Sequence, residues 1–166
     1  TDYSGRFSTA GSQAVSIDTN GQNVTYATAL SSTGGTLTKT GGAGILSLTG
    51  ANTYDGATTV NAGTLISGAS DVIANSSNVT VSGTGAGVTA TFNLNDNQDT
   101  IGALSFGGST TTSGAAVTTG TGKLTLGGNV TYTATNNPLG ATITGNLSLG
   151  SANRTFTIGN STTAAE

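Results

Sequence analysis

The 166-residue chain has no Cys, no Met, no Trp and no His, a single Pro, and four basic residues against seven acidic ones. Each absence removes chemistry. Without Cys there is no disulfide frame, and without Cys or His there is no thiolate or imidazole metal site and no Cys/His or Ser/His nucleophile pair. A net charge of -3 with scattered basic residues offers little to a phosphate backbone, so no nucleic-acid partner is expected. Apolar runs are only a few residues long, far short of a membrane span, and no leader segment is read in the chain. A Cys-free chain suits an exported bacterial protein held by backbone ladders.

Four residue types fill the space that these absences leave. Thr 35, Gly 27, Ser 18 and Asn 15 together make more than half of the sequence. Disordered chains share that polarity, but they are usually rich in Pro and charge and poor in β-branched residues; this chain is the reverse. Thr suits a pleated surface because its branched carbon restricts χ1, and Gly and Asn accept the positive φ of tight corners. Alternation with period two dominates: Leu37 with Lys39, Leu46 with Leu48, Val79 with Val81, Val88 through Ala90 and Phe92 to Leu94, Leu104 with Phe106, Leu124 with Leu126, Val130 with Tyr132, Leu147 with Leu149, and Phe156 with Ile158. Almost nothing reads as helix.

Similar segments recur. Val81 to Phe106 is 25 residues, Phe106 to Leu126 is 20, and Leu126 to Leu149 is 23. Such a period belongs to a coil stacked on coils. The Thr1 to Gly5 segment resembles Asn52 to Gly56, and Ala14 to Ile17 resembles Thr155 to Ile158, so the end of the sequence looks like the start of a further unit. The expected fold is all-β, a parallel β-helix of about seven coils and about 35 Å in length, forming one module over residues 1–166 that is a unit or window of a longer array or polymer. A β-sandwich of short strands is the alternative, disfavoured by the scarcity of hairpin dipeptides.

The Gly34 to Leu65 segment carries Leu37-Thr38-Lys39, the alternating run Ile45 to Gly50, Asn52-Thr53-Tyr54-Asp55-Gly56, and Val60 to Leu65. It resembles the autotransporter-associated β-strand repeat of bacterial passenger domains. The resemblance implies a right-handed parallel β-helix in an extracellular or surface-attached chain, and no particular activity. The polar stretch Gly107 to Gly122 departs from the pattern and reads as a loop.

Few residues offer chemistry. Asp96 and Asp99 could seat calcium or act as a hydrolytic pair, yet they lack the spacing of known calcium loops and any aromatic sugar platform, and a solvated corner between Leu94 and Ile101 explains them. Lys39 and Lys123 could enter isopeptide bonds; an exposed ladder position is the simpler reading of Lys39. Tyr3, Tyr26, Tyr54 and Tyr132 could stack on sugars but are expected to pack over the edge of the core. Seven sequons, at Asn23, Asn75, Asn78, Asn129, Asn146, Asn153 and Asn160, compare with about five expected by chance at this Ser and Thr content. Thr pairs such as Thr36 with Thr38 and Thr155 with Thr157 could form ranks of hydroxyls, but the uneven spacing argues against their falling in register.

No catalytic, cofactor or metal site is therefore expected, and no enzyme. The expected role is that of a structural module in an extracellular bacterial fibre or surface adhesin stalk, its partner another copy or a neighbouring repeat. A face that binds carbohydrate, such as a surface glycan, or ice is the second reading. No amphipathic segment reads as a cap at either end, which leaves strand edges open for stacking.

Overall fold

The computed structural model describes residues 2–84, 87–108, 113–134 and 140–160. The strands form two sheets. The first stacks β1 (Ala14–Asp18), β3 (Thr36–Thr40), β5 (Thr58–Val60), β7 (Val79–Gly83), β10 (Leu104–Gly108), β12 (Val130–Tyr132) and β14 (Phe156–Ile158) in that order. The second stacks β2 (Asn23–Tyr26), β4 (Ile45–Leu48), β6 (Gly63–Ser67), β8 (Thr89–Asn93), β11 (Gly114–Leu126) and β13 (Ala141–Ser148), while β9 (Gln98–Ile101) pairs with the far end of β11. All of these pairings are parallel. Each coil thus gives one strand to each sheet and rises one interstrand step, which is a parallel β-solenoid.

The register explains the composition. On the first sheet, one inward column runs Val15, Leu37, Thr58, Val79, Leu104, Val130, Phe156, and the other Ile17, Lys39, Val60, Val81, Phe106, Tyr132, Ile158. The second sheet faces them with Val24, Leu46, Leu65, Phe92, Val117 and Ile143. These columns form one continuous core, in which Leu37, Leu46, Leu65, Phe92, Val117 and Leu124 are fully enclosed. The chain satisfies its backbone along the axis, so only one residue in two of each strand needs to be apolar.

The third side of each coil changes character along the rod. In the early coils it is irregular: residues 49–57 join β4 to β5, and residues 68–78 join β6 to β7. Here Gly56 donates its N–H to the Gly35 carbonyl 3.0 Å away, and a Cβ at Gly56 would collide with that oxygen. From the fourth coil on, a strand replaces the irregular link. Lys123–Leu126 of β11 pairs with β9 on one side, and Lys123–Thr125 with Asn146–Ser148 of β13 on the other. The register of β11 against β13 shifts between Thr118 and Lys123, where the chain turns from the second side to the third.

Three expectations need correction. The first sheet has seven strands but the second has six along its path, so the coils completed fall slightly short of seven. Six steps of about 4.8 Å give the first sheet a length of about 29 Å. Much of the expected loop, Gly107 to Gly122, is strand: Ala115, Val117 and Thr119 of β11 are buried, because a ladder on both sides stabilises a strand whose inward residues are small; residues 109–112 lie outside the described residues. Finally, Phe106 and Leu126 are not successive rungs, since Phe106 pairs with Tyr132 in the first sheet and Leu126 with Ile101 in the third-side ladder.

Candidate functional site

A set of buried polar side chains links the first, second and third coils. Asn52 is enclosed at the irregular third side, where its Oδ1 accepts the Leu30 N–H at 2.7 Å and its Nδ2 donates to the Val72 carbonyl at 2.7 Å. One amide thereby fixes the coil below and the coil above. Tyr54 is 2 % exposed, and its hydroxyl lies 2.8 Å from Thr58 Oγ1, which lies 3.2 Å from Ser77 Oγ; Ser77 Oγ in turn donates to the Gly56 carbonyl at 2.6 Å. Burial raises the Tyr54 phenol well above its ordinary value, so it stays neutral and can donate.

Lys39 overturns the expectation of an exposed ladder position. Its side chain is fully enclosed in the second inward column, and Nζ donates to the Thr40 carbonyl at 2.7 Å and the Ala62 carbonyl at 3.3 Å. Desolvation lowers its pKa, with Asp18 opposing the shift. The sequence carried the signal: Lys39 stands two residues after inward Leu37, and period two places both on one face. Lys123, by contrast, is exposed on β11.

Asp96 and Asp99 diverge. Asp96 is the solvated corner residue expected, its Oδ1 accepting the Thr121 N–H at 2.7 Å and Oγ1 at 3.1 Å; the backbone bond from Thr121 chiefly holds its pKa below the usual range. Asp99 is 1 % exposed, which the corner reading missed although Asp99 stands two residues before inward Ile101. One carboxylate in water and one in the core make no shared cleft, and among the described residues no group of three or more acidic, Cys or His side chains could hold a metal ion.

The tyrosines divide between the core and its margins. Tyr26 is buried against Phe7, with ring centroids 5.4 Å apart, and Tyr54 lies deeper than the core edge where it was expected. Tyr3 is half exposed, with the Arg6 guanidinium 5.3 Å from its ring centre. Tyr132 joins Phe106, Ile143, Phe156 and Ile158 around an apolar recess at the β14 end of the solenoid. Of the sequon residues, Asn78 and Asn129 each use Oδ1 to accept an amide of the next coil, from Ala103 at 2.8 Å and Thr155 at 3.0 Å, and Asn146 donates to the Gly122 carbonyl at 3.0 Å. Asn23, Asn75, Asn153 and Asn160 are exposed.

Between the inward columns of the first sheet stands one unbroken outward column: Ser16, Thr38, Thr59, Thr80, Ser105, Thr131 and Thr157. The uneven spacing in sequence was expected to spoil such registry. It does not, because the extra residues of the later coils lie outside the first sheet and every rung of that sheet stays aligned.

Residues 37–66 match the model of the passenger-associated transport repeat. The match spans the second and third coils and contains Lys39, Asn52, Tyr54 and Gly56. That segment is thus similar to a passenger repeat, and it lies on a parallel β-solenoid, the architecture that the resemblance to the autotransporter-associated family implied. No curated protein and no solved structure matches the chain.

Proposed function

We propose that this chain is a structural module of an extracellular bacterial fibre or surface adhesin stalk, extended by coil-on-coil continuation between copies or tandem repeats. The passenger repeat supports a secreted or cell-surface setting for it. The observation that carries the mechanical reading is the axial ladder, which runs through β14 while leaving Phe156 44 % and Ile158 66 % exposed. Among the described residues no strand lies beyond β14. A further strand of β1 type would place Val15 on Phe156, Ser16 on Thr157 and Ile17 on Ile158, extending all three columns. Electron microscopy of the concentrated protein, with sedimentation over a concentration series, tests this: end-to-end rods support it, and a monodisperse monomer at high concentration overturns the stacking.

The outward hydroxyl column favours a second reading, a ligand-binding face for a neutral glycan or for ice. No ionisable side chain belongs to that column. A glycan array and a thermal-hysteresis measurement decide it, and silence in both removes it.

A further inference from the structure

The joint between the third and fourth coils contains a carboxylate whose surroundings oppose its charge. Asp99, on β9, accepts a hydrogen bond at Oδ2 from Ser67 Oγ at 3.0 Å and another from the Ile73 N–H at 3.3 Å, both from the coil beneath. Its Oδ1 is buried with no hydrogen-bond partner. An ionised oxygen left in that state costs far more than a protonated one.

The hydrogen bonds from Ser67, Ile73 and the Thr100 backbone favour the charged form, but burial outweighs them and no neighbouring cation joins them. The connection that provides Ile73 also provides Asp71, whose negative charge raises the Asp99 pKa. From the third side below, the neutral phenol of Tyr54 feels the Asp99 charge as a further rise in its own pKa. β6 contains no ionisable residue. The coil above places Leu124 in register with Asp99, and Lys123 beside it is exposed opposite Gln98. Asp96, which precedes β9, is exposed and bonded to Thr121. None of the groups that shift Asp99 is a cation.

We infer that Asp99 is a proton-operated latch between the third and fourth coils, closed when its carboxyl takes up one proton from solvent at Oδ1 and loosened when that proton leaves. Ser67 and Ile73 bond Oδ2 across the joint, and what loosens it on ionisation is the uncompensated buried charge at Oδ1. Burial pushes the carboxyl up to about 6, against an ordinary value of 3.8. The native chain therefore binds this proton more tightly than the unfolded chain does. The stability it contributes is complete below about pH 4 and is lost as pH rises through about 6, the opposite of a carboxylate held by hydrogen bonds. Asp2 and Asp96, whose values are lowered, lose their contributions mainly as pH falls through 3.8, and the lowered Lys39 acts against acid stability. All three oppose the Asp99 effect, and the Asp99→Asn comparison separates it from them.

Denaturant unfolding of the whole chain at pH 4.5 and pH 7.5, beside Asp99→Asn, is the test. The native sequence is expected to have an unfolding constant about twentyfold larger at pH 7.5 than at pH 4.5, and Asp99→Asn, which imitates the protonated acid, about the same constant at both. No acid stabilisation, or acid stabilisation that persists in Asp99→Asn, overturns the latch. Should that variant fail to fold, the carboxyl-carbon resonance of Asp99 in the native chain answers instead. A titration midpoint near 6 supports the inference, and one below about 4.5 overturns it.

Discussion

The first and second halves of the solenoid build the same coil by different means. In the first half the rungs advance by 21 or 22 residues, as Ala14 to Thr36, Leu37 to Thr58 and Thr58 to Val79. In the second they advance by 25 or 26, as Val79 to Leu104, Leu104 to Val130 and Val130 to Phe156. The shorter coils leave the third side irregular, and enclosed side chains tie it across coils: Asn52, Tyr54 and Ser77. The longer coils supply enough chain for a third ladder of β9, β11 and β13, whose backbone satisfies itself. A coil lacking chain for a strand needs particular residues at that side, and one that has it does not.

That contrast can be broken at Tyr54 first. Tyr54→Ala removes the largest enclosed side chain and one of the two hydroxyl partners of Thr58, and a loss of about 3–5 kcal/mol is expected in denaturant unfolding. Asn52→Ala leaves the Leu30 N–H and the Val72 carbonyl without their side-chain partner and is expected to cost about 2–4 kcal/mol. Its counterpart in the longer coils, Asn146→Ala, is expected to cost about 1 kcal/mol or less, because Asn146 is exposed. Equal costs at the two positions would end the distinction drawn above.

Smaller effects sharpen it. Lys39→Met keeps the length of the chain and removes a desolvated charge bonded only to carbonyls, so the melting midpoint should hold or rise, by up to about 2 kcal/mol of added stability. A large loss would mean that the ammonium, and not the packing of its stem, fastens the Thr40 and Ala62 corners. Thr131→Val in the outward column is expected to fall within about 0.5 kcal/mol of the parent, since neighbouring rungs are joined by backbone.

These two ways of building explain what was legible in the sequence. Strand alternation and stacking were readable because a thin core puts Leu46, Leu48, Val79 and Val81 at strict two-residue intervals. The Asn52 to Gly56 motif was readable for a different reason: each of its inward residues meets a fixed partner, so few substitutes would serve. In the third ladder the alternation of Leu124 with Leu126 was readable but not its assignment to a separate side, and Gly114 to Thr121 looks like loop to any pattern that counts apolar residues, because its inward residues are mostly small. Lys39 and Asp99 were misread because residue type was weighed above parity. Both stand on inward positions, two residues from Leu37 and Ile101, where charge is unusual enough to conceal the periodicity.

The parallel ladders also decide how the module would answer a pull. Its interstrand bonds lie along the axis, so tension between the two ends would load them directly and open one coil at a time, with no sliding of one strand past another. Each coil of 21 to 26 residues would then release about 70–90 Å of slack chain in place of a rise of about 4.8 Å. The later coils, having more chain, would pay out the longer lengths. A tether made this way yields in regular increments and absorbs work at every one of them, as a shock cord does.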